Sequence, residues 1–91
     1  MTGAERAEFR KAANGLRPVV QIGKEDIGES LIAGVDAALN KRELIKLSVL
    51  ETSTLSAREA AALLAGRTGA EIIQCIGRKF VLYRKKPEED A

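Results

Sequence analysis

Ninety-one residues with 45% apolar and 31% charged composition suffice for one small soluble domain and make a two-domain reading unnecessary. A single cysteine and no histidine exclude an internal disulfide, a histidine-based metal site and a serine- or cysteine-histidine catalytic pair. The formal net charge of +2 understates the basic character, because all 15 Lys and Arg but only 10 of the 13 acids fall in residues 1–87, a net of +5. That surplus leaves two readings open, a polyanionic partner or a solvated surface.

The N-terminal Thr2-Gly-Ala-Glu5 is a capping-box pattern and predicts a helix to Asn14 with Gly15 as a left-handed stop. Ala4, Phe9, Ala12 and Ala13 form a thin apolar stripe, so this helix is expected to be short and partly docked, with Arg10 and Lys11 on a solvated face or touching phosphate. The N-terminus lacks the apolar stretch of a signal peptide, and no run reaches the roughly 18 apolar residues of a membrane span, which predicts a cytoplasmic protein with no membrane contact.

Leu16 to Ile22 reads as a strand, with Pro18 near its start, where a missing amide donor is tolerated, and Gly23 at its end. Asp26-Ile-Gly-Glu29 repeats the capping-box pattern, and Ile27, Leu31, Val35, Ala38 and Leu39 recur at helical spacing, predicting a helix over about 27–40. Gly34 weakens that helix by about 1 kcal/mol relative to alanine and is expected to permit close packing on a sheet. Ile45, Leu47 and Val49 alternate with Lys46 and Ser48, the pattern of a half-buried strand. Ser56-Ala-Arg-Glu59 is a third capping box, opening a helix whose Ala57, Ala60, Ala61, Leu64 and also Leu63 are read as inward-facing, with Gly69 as its stop.

Two apolar-rich runs, about Glu71 to Ile76 and Lys79 to Arg84, flank Gly77-Arg78, and glycine at the first central position of a two-residue loop predicts a type II′ hairpin. The implied register places Ile76 opposite Lys79, Cys75 opposite Phe80, Gln74 opposite Val81, Ile73 opposite Leu82 and Ile72 opposite Tyr83. Cys75, Phe80, Ile73 and Leu82 then share a core face closed by a Glu71/Arg84 pair, Cys75 being an inert core thiol. Lys79, Val81 and Tyr83 face away. Five of the nine residues from Arg78 to Lys86 are basic.

The order is therefore α-β-α-β-α-β-β: a single-domain α/β fold with a four-stranded mixed sheet, two crossover helices and a terminal antiparallel hairpin. Helices covering one face would leave the other partly open. Strand order is not decided by sequence. Residues 1–87 form the domain, and residues 88–91 after Pro87 form a short acidic tail that is expected to be disordered.

Several segments together resemble the CRM domain (chloroplast RNA splicing and ribosome maturation), and its stand-alone bacterial YhbY-like members most closely. They are Leu16-x-Pro18-Val19-Val20-Gln21-Ile22-Gly23-Lys24, Glu43-Leu44-Ile45-Lys46, Gly69-Ala70-Glu71-Ile72-Ile73-Gln74-x-Ile76-Gly77-Arg78 and Val81-Leu82-Tyr83-Arg84. The resemblance implies a fold similar to the C-terminal domain of bacterial translation initiation factor three. It also implies a non-catalytic RNA-binding protein, without cofactor or metal, that associates with large-subunit ribosomal RNA or its precursors during ribosome assembly. The alternative is a protein-interaction module docking an acidic ribosomal or maturation protein through the same basic face.

The family usually carries a Gly-x-x-Gly loop between its first strand and the following helix, analogous to the backbone clamp of KH domains. Here the corresponding residues are Gly23-Lys24-Glu25-Asp26, without the second glycine, and Arg42 stands where the family often has histidine. Asp26 is the expected N-cap of the helix, where its carboxylate and that of Glu25 would repel phosphate and shift an RNA site toward the hairpin. The candidate RNA contacts are Gly23, Lys24, Arg42, Lys46, Arg78, Lys79, Arg84, Lys85 and Lys86, with Tyr83 as a stacking residue.

Overall fold

A computed structural model of the chain describes residues 1–24 and 27–86. The element order is α1 (Gly3–Ala13), β1 (Pro18–Ile22), α2 (Glu29–Arg42), β2 (Leu44–Val49), α3 (Ala57–Thr68), β3 (Glu71–Ile76) and β4 (Lys79–Tyr83). The sequence predicts that order, and the structure adds the strand order β1-β2-β4-β3. β1 and β2 are parallel, whereas β4 is antiparallel to both β2 and β3. Hence β1, β2 and β3 all end at one edge of the sheet, the crest, from which α2 and α3 start.

Both helices cover the same face. Val35 and Leu39 of α2 and Ala57, Ala60, Ala61 and Leu64 of α3 are buried against Ile22, Ile45, Leu47, Val49, Phe80 and Leu82. Alanines on α3 let its backbone lie close to the sheet, while Leu63, expected to face inward, is exposed. The expectation that Gly34 seats α2 on the sheet also fails. A Cβ at Gly34, or at Gly66 in α3, would meet nothing within 4 Å. Both glycines carry the entropic cost of a helix interior without a packing return. The double variant Gly34→Ala/Gly66→Ala is therefore expected to gain about 1–2 kcal/mol, read as a rise in thermal midpoint of roughly 5–10 °C followed by circular dichroism.

The opposite face carries a second, smaller cluster in which Ala13, Ile73 and Val81 are buried beneath Phe9, Leu16, Leu44 and Tyr83. α1 is docked in part, as expected: Ala13 is buried and Phe9 half-buried, whereas Ala4 and Ala12 of the stripe are exposed. Its capping box is formed, Thr2 Oγ accepting from the Glu5 amide at 3.1 Å and Glu5 Oε1 accepting from the Thr2 amide at 3.3 Å. Gly15 is not the left-handed stop expected of it, since positive φ among described glycines occurs at Gly69 and Gly77. Asn14, in right-handed conformation, caps the helix instead.

The hairpin turn has the predicted form, with φ of +60° at Gly77 and no positive φ at Arg78. The register holds for Ile76–Lys79, Cys75–Phe80 and Gln74–Val81, then slips at a bulge between Ile72 and Gln74, so that Ile72 pairs with Leu82 and Glu71 with Tyr83. The extra residue reverses side-chain parity beyond the bulge. Phe80 and Leu82 face α2 and α3 as expected, with Cys75 half-buried against that core, but Ile73 turns to the α1 face and Ile72 takes its place. Arg6 of α1 donates to the Ile72 carbonyl at the bulge and lies 3.7 Å from Glu71. The expected Glu71/Arg84 pair is therefore not formed.

The third capping box, Ser56 with Glu59, has both bonds at 3.1 Å, and acceptance of the Ser56 amide and hydroxyl hydrogens holds the Glu59 carboxyl below the usual carboxylate range. α2 differs. Its N-cap is Gly28 and Glu29 is its first residue, so Glu29 does not stand at the third helical position that a capping box requires; Asp26, the expected N-cap, and Glu25 lie outside the described residues. So does the acidic tail. At its other end α2 passes straight into β2 through Glu43, whose φ of 60° is uncommon for a residue with a side chain. Three bonds hold it there: its amide donates to the Leu39 carbonyl at 2.9 Å, its carbonyl accepts from the Arg84 amide at 3.0 Å, and its carboxylate accepts from the Lys86 amide at 2.8 Å.

Candidate nucleic-acid interface

Parallel strands ending together bring Gly23, Lys24, the start of α2 and the Gly77-Arg78 turn to the crest. The Leu50 amide donates to the Ile22 carbonyl at 2.8 Å and the Val49 amide to the Arg78 carbonyl at 2.7 Å, which ties the three strand ends to one another. A recess at the end of β1 is lined by Gln21, Ile22, Gly23, Lys24, Gly28, Ser30 and Leu31. The first backbone bond of α2 runs from the Ile32 amide to the Gly28 carbonyl, and Gly28 offers no side chain to the amides before it. Helix amides without a cap partner among the described residues, together with the positive end of a 14-residue helix dipole, therefore border the recess. Such an end accepts an anion, and Lys24 beside it adds a full charge.

Arg78 projects from the turn with its guanidinium 3.9 Å from Glu51, a pair exposed on both sides. Solvent screening makes such a pair weak, so a phosphate could displace Glu51 at little cost. Lys79, the first residue of β4, is exposed and has no ion-pair partner among the described residues.

Lys46 lies on the α1 side of the sheet, half-buried, between two shallow grooves. One is lined by Asn14, Lys46, Gln74, Ile76, Lys79 and Val81, the other by Gly15, Leu16, Arg17, Val19, Arg42, Leu44, Ile45 and Lys46. Arg42 thus shares a groove with Lys46 although it comes from the end of α2.

Two of the predicted contacts have structural employment. The Tyr83 ring stacks on Phe9 with centroids 4.1 Å apart and planes at 28°, so one face of the ring is already occupied. Arg84 is 19% exposed and binds Asp36 Oδ1 at 2.5 Å, the Thr68 carbonyl at 2.7 Å, Asn40 Oδ1 at 2.8 Å and the Asp36 carbonyl at 3.0 Å. It joins β4 to α2 and α3. Lys85 and Lys86 follow at the end of the sheet away from the crest, exposed, with the Lys86 amide tied to Glu43. The structure thus assembles Gly23, Lys24, Arg78 and Lys79 at the crest and places Arg42 in a groove with Lys46, while Lys85 and Lys86 lie at the far end of the sheet, where Glu43, next to Arg42, holds the Lys86 amide. It adds Arg17, Gln21 and Asn14, which sequence could not place because the strand order was undecided. Alternation had already put Gln74 on this face.

These features define a small α/β domain that presents cations and a helix N-terminus along one end of its sheet. The chain belongs to the CRS1/YhbY (CRM) domain family, whose description matches residues 1–84. It is 33% identical over 88 residues to the "Probable RNA-binding protein YqeI" of Bacillus subtilis, covering 97% of this chain and 92% of that one. It is 35% identical to an "RNA-binding protein" of Haemophilus influenzae, covering 96% and 87%. The solution structure of the Staphylococcus aureus protein SAV1595 superposes with a TM-score of 0.79 at 37% identity, over 99% of this chain and 94% of the other. Among the described residues no helix is long and apolar enough to cross a membrane.

Proposed function

We propose that this protein is a non-catalytic, cytoplasmic RNA-binding protein whose target is large-subunit ribosomal RNA or its precursor during ribosome assembly. The observation that carries the reading is the crest, where Lys24 borders the N-terminus of α2, capped by Gly28, and Arg78 and Lys79 stand at the neighbouring strand ends. Family membership and the names of the relatives supply the kind of anion. The crest offers phosphate contacts and little that reads a base, so affinity should be electrostatic in origin.

Binding to large-subunit ribosomal RNA fragments is therefore expected to fall by about tenfold or more between 50 and 200 mM salt. Fluorescence anisotropy across that range checks it, and a flat profile would remove the crest from the account. Crosslinking in cells followed by mapping of contact sites tests the ribosomal target. Association with large-subunit precursors that survives RNase treatment would instead favour docking on an acidic ribosomal protein.

A further inference from the structure

The sheet register arranges the α1-side residues into rows that cross all four strands. Residues paired directly across a ladder point to the same face. Ile76 pairs with Lys79, Lys79 with Ser48 and Ser48 with Gln21, so these four form one row just below the crest. The next row is Gln74, Val81, Lys46 and Pro18. α1 covers Val81 but stops at Asn14, which leaves the upper row uncovered except for Ser48: Ile76 is 69% exposed, and Gln21 and Lys79 are exposed.

Three properties of this half-open face bear on its ligand. Among the described residues, the two grooves that cross it contain Arg17, Arg42, Lys46 and Lys79 and no carboxylate, whereas the recess beside α3 holds Glu51 and Glu59. None of those four cations has an ion-pair partner among the described residues. Lys46 and Lys79 are diagonal neighbours on adjacent strands, a separation of about 7–8 Å that suits separate phosphates of one strand. Between and beside them stand the side-chain amides of Asn14, Gln21 and Gln74, each offering donors and an acceptor, and the aliphatic Ile76.

We infer that this face binds a single-stranded RNA segment, with Lys46 and Lys79 on its phosphates, Gln21 and Gln74 at base edges and Ile76 beneath a base. The inference rests on the RNA-binding reading of the crest and extends it from a phosphate clamp to a surface that distinguishes strandedness. A duplex keeps its bases stacked inside and offers a recess only its backbone, whereas an unpaired base can turn into a groove that carries amides. Tyr83 stacks on Phe9, and among the described residues no aromatic ring lines either groove. Contacts are therefore sequence-tolerant, and a stacking platform is the missing element.

That absence supplies the test, because the chain contains no tryptophan. Ile76→Trp provides a single reporter on the face and a ring on which a base can stack. A ten-nucleotide single-stranded oligouridylate or oligoadenylate is expected to quench the introduced tryptophan and to bind at least about fivefold more tightly than to the parent. A hairpin duplex of equal charge leaves it unquenched. Lys46→Gln/Lys79→Gln is expected to weaken single-strand binding about tenfold or more and to lower the salt slope by about 1.4, two phosphates at 0.7 each, while Lys46→Arg/Lys79→Arg retains both. Quenching equally strong with the duplex, or with a polyglutamate peptide, would overturn the assignment. So would single-strand binding that the glutamine pair leaves intact while Lys24→Gln/Arg78→Gln weakens it, although RNA binding at the crest would then stand. No binding of any RNA by the parent protein would remove the functional reading itself. Should the glutamine pair fail to fold, the tryptophan measurement decides alone.

Discussion

Arg84→Ala is expected to be the most destabilising replacement of any basic residue in this chain, lowering stability by about 2–3 kcal/mol and the thermal midpoint by roughly 10–20 °C. The side chain is four-fifths buried and binds Asp36 Oδ1, two backbone carbonyls and Asn40 Oδ1. Removing it takes the donor from the Thr68 carbonyl at the end of α3 and from Asn40 Oδ1, and removes the charged strut between the two helices and β4. The figure is kept below that of a fully buried ion pair because Asp36 is 48% exposed and water can recover part of its solvation. Lysine should rescue little, since a single ammonium cannot reach partners on two helices as the planar guanidinium fork does. If the role is purely structural, RNA affinity of Arg84→Ala measured well below its midpoint matches the parent. A tenfold loss of affinity with an unchanged midpoint would restore Arg84 to the RNA contacts read from sequence.

Arg84 also shows where sequence reading reaches its limit. In the run Arg84-Lys85-Lys86 it is indistinguishable from two surface cations, because its partners lie 48, 44 and 16 residues away and are brought together only by the stacking of α2 and α3 on one face. Tyr83 was read as a stacking residue for the same reason, its partner Phe9 belonging to the helix expected to be only partly docked. Local devices were legible: the capping boxes at Thr2 and Ser56, the Gly77 turn and the alternation in β2 are each decided within a few residues. The bulge at Ile73 was not, since nothing in Glu71–Ile76 departs from a regular strand pattern. It shows only when α1 covers the face onto which Ile73 turns. The candidate site was legible as residue types and not as a surface. Lys46 and Lys79 become neighbours only when β2 and β4 pair, and Gln21 joins them only because β1 flanks β2.

The three capping-box patterns were equivalent in sequence, yet in the second the helix begins at Glu29 with Gly28 as its N-cap, and that shift bears most on function. Gly28, with φ of −102° and ψ of −179°, is in extended conformation that any residue can adopt, so aspartate fits there without backbone strain. Gly28→Asp would place a carboxylate on the first amides of α2, satisfying them and the helix dipole. Stability is expected to rise by a few tenths of a kcal/mol, since glycine is itself a tolerable N-cap. RNA affinity is expected to fall by about tenfold or more, because the cap carboxylate takes the amides a phosphate would occupy and repels the phosphate as well. Gly28→Asn separates the two effects: it caps almost as well but carries no charge, so it should cost affinity less than aspartate does, and the gap between the two variants should shrink as salt rises. Anisotropy titrations of both at two salt concentrations, beside their thermal midpoints, provide the comparison. Unchanged RNA affinity in a stabilised Gly28→Asp protein would mean that the end of α2 holds no phosphate and that binding lies entirely with the hairpin and the open sheet face.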